Sequence, residues 1–340
     1  MGAVLFLYSF ISRLVTRAKN ALYDRGWIKP RRGPLPVISV GNITLGGTGK
    51  TPAAIEILDR LLRDGFRPAL VTRGYRGKWE RRGGLLSDGT RLWGNWRESG
   101  DEPAMVALRV PRAGVFVGRH RLKSCLRAAE AGFDVAVLDD GFQHRRLHRD
   151  LDIVLHDPRR RAALREPVTA LSRADIILVP DSARDEAERL LLRKTGRPAF
   201  HSYSVVPLYF LKITGSSDEV ASRVTLESLR GAETVAFCGL AAPERFFLML
   251  ERLGLRLRKK VVFPDHHPYP ARSWDRIRTL RRELKAEAVV TTEKDAVKLA
   301  GRPEIPGEAA LFVLRIGLEM KPEFFAALAG FGGGTREGSS

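Results

Sequence analysis

An α/β fold built on a doubly wound, mainly parallel sheet is what this 340-residue sequence predicts, and three observations predict it. From Val37 onward, short β-branched runs alternate with helix-like stretches, the order that builds a parallel sheet covered on both faces. One such run, Val37–Val40, passes through a Gly-rich loop into a helix that begins near Pro52. A second strand–helix series begins near Val235, so a smaller C-terminal α/β domain is expected beside the first. At 44% hydrophobic and 29% charged, the chain can bury a sizeable core.

The elements follow in order. Ala3 to Arg25 holds no Gly or Pro, which permits one long helix. At about 100° per residue, Leu7, Phe10, Ile11, Leu14, Ala18, Ala21 and Leu22 share a face, with polar residues opposite. Seven basic residues and one acid, Asp24, lie between Arg13 and Arg32, so residues 1–30 read as an amphipathic helix suited to a membrane interface. Pro30 to Pro36 reads as a linker. Strands are expected at Val37–Val40, Ala69–Thr72, Gly114–Val117, Val135–Leu138, Ile153–Leu155 and Ile176–Val179, with a helix at Arg121–Ala131, giving a first domain over 31–200. Ser202–Val206 and Tyr209–Ile213 predict a two-stranded connecting ribbon over 201–215. Strands at Val235–Cys238, Val261–Phe263, Val289–Thr292 and Leu311–Leu314 make the smaller domain over 216–329. The small, polar stretch 330–340 predicts a disordered tail.

Lys and Arg number 58 against 39 Asp and Glu, a net charge of +19, which nominates polyanionic partners: nucleic acid, anionic lipid or a phosphorylated substrate. Only 13 of the 58 are Lys, so a compositional bias toward Arg accounts for part of the excess and the charge alone chooses no partner. Cys125 and Cys238 stand far apart with no CxxC spacing, which disfavours a disulfide scaffold and a Cys zinc site and fits a reducing compartment. No run reaches about 18 consecutive apolar residues. The N-terminus also lacks a basic n-region and a cleavage site, and Phe6 stands where myristoylation wants Ser or Thr.

The segment Val37-Ile-Ser-Val-Gly-Asn42 followed by Thr44-Leu-Gly-Gly-Thr-Gly-Lys-Thr51 is a strand, a glycine loop and a helix start. In that setting backbone N–H groups at Gly46, Gly47, Thr48 and Gly49 converge on phosphate oxygens beside the positive helix terminus, as in a P-loop NTPase-like fold. Lys50 is expected to reach the β and γ phosphates and Thr51 to hold Mg²⁺, with Asn42 at the strand end also assigned to nucleotide binding. Thr44 replaces the first Gly of the usual pattern. The GG-x-GKT core resembles the loop of partitioning-type ATPases, but Leu45 stands where their signature Lys would be. Asp134-Val-Ala-Val-Leu-Asp-Asp140 is a Walker-B candidate, offering Asp139 or Asp140 to the metal at a strand's C-terminal tip. Gly100-Asp-Glu-Pro103 reads by itself as a helix start with Asp101 as the cap, and Asp265-His-His-Pro268 as a metal or structural motif.

Together the segments PVISVGNITLGGTGKTP, LVTRGYRG, ESGDEP, VFVGRHR, VAVLDDGFQHRRL, LREP, PERFF, FPDHHPY and VVTTEKDAVKL resemble the tetraacyldisaccharide 4′-kinase (lipid A 4′-kinase) family of Gram-negative bacteria. They occur in that family's order over most of residues 1–315. The resemblance implies ATP- and Mg²⁺-dependent phosphoryl transfer to the 4′-hydroxyl of a tetraacylated glucosamine disaccharide 1-phosphate. It also implies a cleft between two α/β domains joined by a β ribbon. By the same resemblance Asp101 and His266 form a dyad that activates the sugar hydroxyl, a role for which carboxylate and imidazole are suited. Lys50 joins them in catalysis, and Arg73, Arg121, Gln143, His144, Arg165 and Glu166 are assigned to the substrate or nucleotide. The implied place is the cytoplasmic face of the bacterial inner membrane, as a peripheral or monotopic protein held through residues 3–28. No obligate protein partner is inferred.

One departure from the family pattern stands out. Pro158-Arg-Arg-Arg-Ala-Ala163 replaces a longer Gly-rich stretch before Leu164-Arg-Glu-Pro167, which bears on Arg165 and Glu166. The rival reading is a P-loop switch ATPase of the partitioning type bound to nucleic acid or membrane. The basic clusters at 13–32 and 158–161 carry only Tyr23 and Trp27 as aromatics, too few to stack bases, so no nucleic acid partner is expected.

Overall fold

A computed structural model of the chain describes residues 20–44, 48–160, 164–196, 199–213, 222–299 and 311–336. The first half runs β1 Val37–Asn42, α1 Lys50–Arg63, β2 Pro68–Thr72, α2 Trp79–Arg82, β3 Gly84–Asp88, α3 Trp96–Ser99, α4 Asp101–Arg109, β4 Gly114–Val117, α5 Arg121–Glu130, β5 Val135–Asp139, β6 Leu151–Leu155, β7 Ile176–Pro180 and α6 Arg184–Thr195. Then come β8 His201–Ile213, β9 Ser222–Val224, β10 Glu233–Cys238, α7 Pro243–Arg252, β11 Arg256–Val262, α8 Ala271–Glu283, β12 Ala288–Thr292, α9 Glu293–Ala296, β13 Leu311–Met320 and α10 Pro322–Arg336. The fold is mixed α/β on a mostly parallel sheet.

Among the described residues the strands join one sheet in the order β11-β10-β12-β13-β8-β7-β6-β1-β5-β2-β4-β3, with β9 paired to β8. The antiparallel pairings are β3 with β4, β8 with β9 and β8 with β13. Every residue of β1 is buried, because helices cover both faces. Successive side chains point to opposite sides: Ile38 and Val40 meet Ala53, Ile57 and Leu61 of α1, while Val37 packs in the cluster that holds Cys125 and Ala128 of α5. The second half repeats the scheme. Phe246, Phe247 and Leu250 of α7 cover one face, and Trp274 and Ile277 of α8 the other.

Several expectations need correction. The ribbon expected as two strands is one 13-residue strand, β8, that runs straight through Pro207. Pro207 is tolerated because the pairing with β13 shifts register there, and β7 reaches only Tyr203 while β9 starts at Phe210, so one edge of β8 needs no N–H at that point. The stretch read as a linker at 30–36 is pinned instead: Arg31 N–H donates to Arg146 O at 2.8 Å, and His148 N–H donates to Arg31 O at 2.8 Å. The tail expected from residue 330 is helical through Arg336, as the end of α10. That helix starts with Phe324 and Leu328 inside the first half's core, and propagation from a packed start adds one hydrogen bond per residue. Leu318, Met320, Phe324 and Leu328 all sit in the cluster with α1, so the end of β13 and the helix α10 return to the first half, after the start of β13 has packed into the second. The long helix expected from residue 3 lies outside the described residues up to position 19, and only residues 20–24 of it are described as helix.

Candidate active site

The C-terminal ends of β1, β5 and β2 and the start of α1 meet at one place. Gly49, with φ 87°, turns the chain into α1 in a left-handed conformation that a Cβ would disfavour. Asn42, fully buried at the end of β1, donates from Nδ2 to Thr48 Oγ1 at 2.8 Å and so closes the loop between strand and helix. Tyr203 of β8 steadies the same turn, its hydroxyl donating to Thr48 O at 3.1 Å. Gly46 and Gly47 lie outside the described residues.

Lys50 Nζ lies 3.2 Å from Asp140 Oδ1, and Arg165 Nη1 donates to both Asp140 oxygens at 3.0 and 3.1 Å. Burial pushes the Asp140 pKa up, but Lys50 and Arg165 outweigh it and hold it below the usual carboxylate range. Asp140 has φ 54°, a strained setting for a non-Gly residue and one typical of functional loops. Its oxygens are therefore taken by cations, whereas Asp139 has one oxygen at 3.4 Å from Thr72 Oγ1 and the other, Oδ1, buried without a hydrogen-bond partner. Burial first, then Glu102 and Asp140, raise the Asp139 pKa. A buried orphan carboxylate oxygen of this kind suits a cation. Asp139 thus keeps an oxygen free where both oxygens of Asp140 are engaged, near the Thr51 hydroxyl at the head of α1. Among the described residues no cluster of three or more His, Cys, Asp or Glu is set to hold a metal alone.

The second half brings its own groups to the same place. His266 Nδ1 lies 2.9 and 3.0 Å from the two Asp101 oxygens, joining residues 165 positions apart. His266 has φ 63° and packs edge-on against Tyr75 at 5.5 Å. Asp101 is not the cap expected of it: Gly100 is the N-cap, and Asp101 opens α4 with its carboxylate turned to His266. Burial raises the Asp101 pKa, but the His266 hydrogen bond, Lys294 and Lys298 bring it down to about 2. Next to it Glu102 accepts from Thr51 Oγ1 at 3.4 Å, which places the dyad beside the head of α1.

Two lysines of the Val289–Leu299 segment were given no role from sequence. Lys294 Nζ bridges Asp265 at 3.0 Å and Glu102 at 3.3 Å. Lys298, 1% exposed, reaches Asp101 at 3.4 Å and Asp295 at 3.0 Å. Asp295 in turn accepts from Gly239 N–H at 3.0 Å and Thr292 Oγ1 at 2.7 Å. The signal was the i, i+4 spacing of two lysines on one face of a helical turn. Their partners in the first half, Glu102 and Asp101, are nearly 200 positions away and invisible in one dimension.

The remaining candidates divide. Gln143 Nε2 donates to Asn42 O at 2.8 Å and to Glu166 Oε1 at 3.0 Å, so it sits behind the loop. Glu166, 2% exposed, is bound by Gln143, Asn20 and Arg173, and is a buried brace rather than an open ligand for nucleotide. Arg121 is buried at the head of α5 and donates from Nη1 to Gly118 O at 2.7 Å; burial lowers its pKa against the pull of Asp139 and Asp140. Arg73 lies largely exposed and pairs with Glu80 at 2.6 Å. His144 is half-buried in the turn after β5, its N–H donating to Gly141 O at 2.8 Å. Of the 158–163 segment, Asp157 is bound by Arg159 at 2.8 and 3.0 Å, and residues 161–163 lie outside the described residues.

Comparison with known proteins gives the family. The family described as Tetraacyldisaccharide-1-P 4′-kinase matches residues 1–331. A tetraacyldisaccharide 4′-kinase of Syntrophus aciditrophicus is 38% identical over 346 residues, covering 94% of this chain and 90% of that one. One of Desulfatibacillum aliphaticivorans is 39% identical, covering 88% and 84%. The crystal structure of an LpxK protein of Aquifex aeolicus in complex with ATP superposes with a TM-score of 0.73 at 30% identity, over 96% of each chain. With a match over nearly its whole length and a fold shared at that level, the chain belongs to the tetraacyldisaccharide-1-P 4′-kinase family.

Proposed function

We propose that this enzyme, an ATP-dependent kinase of lipid A biosynthesis, transfers the γ-phosphoryl group of ATP to the 4′-hydroxyl of a tetraacylated disaccharide 1-phosphate through the residues gathered above. The observation that carries the reading is the Asp101–His266 pair at 2.9 Å, formed beside the head of α1 by residues from the two halves of the chain. Because Nδ1 faces the carboxylate, the imidazole donates there and keeps Nε2 as its basic atom. Asp101 stays ionised down to about pH 2, so its carboxylate keeps holding the imidazole's Nδ1–H. The 4′-hydroxyl proton passes to His266 as its oxygen bonds to phosphorus and the bond to ADP breaks. Lys50 offsets charge on the phosphoryl group in flight. Thr51 and Asp139 would hold Mg²⁺, whose chemistry is to neutralise the β and γ phosphates.

The acceptor lipid resides in a bilayer, so the enzyme meets it at an interface. Trp27 is 74% exposed and Ile28 38%, beside exposed Lys29, Arg31 and Arg32, a combination suited to an anionic surface. Among the described residues no helix is long and apolar enough to cross a membrane. The place implied is the cytoplasmic side of the inner membrane, where ATP is available.

Purified protein supplied with γ-labelled ATP and detergent-dispersed tetraacyldisaccharide 1-phosphate is expected to label the lipid. Lys50→Ala should lower kcat by about 10³-fold or more. Label appearing only in water, or full activity in the variant, would overturn the assignment.

A further inference from the structure

Residues 20–24, the helical turn that opens the described chain, are bonded into the back of the phosphate site. Asn20 donates from Nδ2 to Glu166 Oε2 at 2.7 Å. Arg145, on the turn after β5, donates to Asn20 O at 3.0 Å and to Asp24 Oδ1 at 2.7 Å, and stacks over Tyr23 at 4.9 Å. Tyr23 is buried to 8% exposure, so this end of the helix is packed against the domain and not free of it.

Glu166 is in contact with the loop root on two sides. Its N–H and that of Arg165 both donate to Ile43 O, at 3.3 and 2.7 Å, and Leu164 bridges Thr44. Its side chain accepts from Gln143, which also donates to Asn42 O. Asn42 then holds Thr48. Three hydrogen bonds thus run from Asn20 through Glu166 and Gln143 to Asn42, and a fourth joins Asn42 to Thr48 in the phosphate loop. A carboxylate 2% exposed depends on every donor around it, because water cannot replace one that is lost.

We propose that Asn20 is a positioning residue for phosphoryl transfer: it fixes Glu166, and through Gln143 and Asn42 it fixes the root of the phosphate loop, so the short stretch that exposes Trp27 is also part of the loop's scaffold. This rests on the kinase reading of the site. It separates two neighbouring sets of side chains on one short stretch, Asn20 turned inward and Trp27 turned to solvent.

The test compares Asn20→Ala, Asn20→Gln and Trp27→Asp in the full chain, on detergent-dispersed acceptor and on anionic phosphatidylglycerol vesicles. Asn20→Ala should lose roughly tenfold in kcat in detergent, the size expected for one hydrogen bond to a buried charge, with the KM for the lipid changed less than about twofold and flotation with vesicles unchanged. Asn20→Gln keeps an amide donor and should recover part of the loss. Trp27→Asp should do the opposite, keeping kcat in detergent and losing flotation. Amide exchange at residues 42–51, measured without nucleotide, should quicken in Asn20→Ala and not in Trp27→Asp. Wild-type kcat and wild-type exchange in Asn20→Ala would overturn the proposal. A wild-type protein that labels no lipid would instead sink the kinase reading, and the exchange data would still decide whether Asn20 holds the loop.

Discussion

Asp101 is only 5% exposed and His266 lies next to it, so neither side chain can do its work without the other's partner geometry. If the two act as one unit, Asp101→Ala and His266→Ala should each lower kcat by about 10²–10⁴-fold, and the double variant should fall little below the worse single. Single-turnover rates beside thermal melts check this, and losses that simply multiply would count against a dyad. A different residue sets the acid stability. His156, after β6, is 2% exposed with no hydrogen-bond partner for either ring nitrogen among the described residues, and burial lowers its pKa from 6.5 to about 4. The unfolded chain binds this proton below pH 6.5 while the folded one does not until about pH 4, so stability falls as pH drops through that window. The full shift is worth about 3 kcal/mol. Urea melts of His156→Leu between pH 7 and 4.5 should show a flatter dependence than wild type, and an unchanged slope would refute the account.

At the scale of the element, what matters is where each terminus points. The head of α1 and the tips of β1 and β5 converge because parallel strands all end on the same side of the sheet. The short helix α9 carries Lys294 to Glu102, and the turn after it carries Lys298 to Asp101, so this segment of the second half grips α4 of the first. Residues 20–28 face two ways, with Tyr23 packed and Trp27 exposed. The double substitution Trp27→Asp and Ile28→Asp should lower partition onto anionic vesicles by about tenfold or more in flotation assays. Added salt should weaken the wild-type binding only in part, since the apolar contribution is not screened. Unchanged flotation would place membrane contact elsewhere on the molecule.

The whole molecule is held by a crossing. β8 pairs with β7 of the first half and β13 of the second, and β13 then feeds α10 back onto the first half's core. Phe324 is fully buried there, edge-on to His201 at 6.0 Å and to Phe325 at 5.2 Å. Phe324→Ala should therefore cost about 3–5 kcal/mol of stability. It should lower the melting of the half that binds ATP, not only of the C-terminal half. Differential melting with and without ATP measures this, and a loss confined to residues 222–299 by amide exchange would contradict it. Arg109 and Arg315 close on Glu293 at 2.9 and 2.7 Å, a nearly buried cluster that joins α4, α9 and β13 across the same seam.

Local physics alone determined the alternation of strands and helices, the phosphate loop between Val37 and Thr51, and the acid pair at the tip of β5, because each is set by residues within about one turn or one strand of one another. The resemblance carried by the motifs added Asp101 and His266 as partners, which neither GDEP nor DHHP indicates by itself. Only the tertiary structure decided the rest. Pro207 read as a break because a strand's pairing edges cannot be known from its own sequence, and residues 330–336 read as coil because the core that holds the start of α10 belongs to the other half. The free oxygen of Asp139 against the paired Asp140, the burial of Glu166, and the partners of Lys294, Lys298 and Asn20 all depend on charges and donors brought together from distant positions. Hydrogen bonding and desolvation act over a few ångströms in space, and the sequence records no such distance.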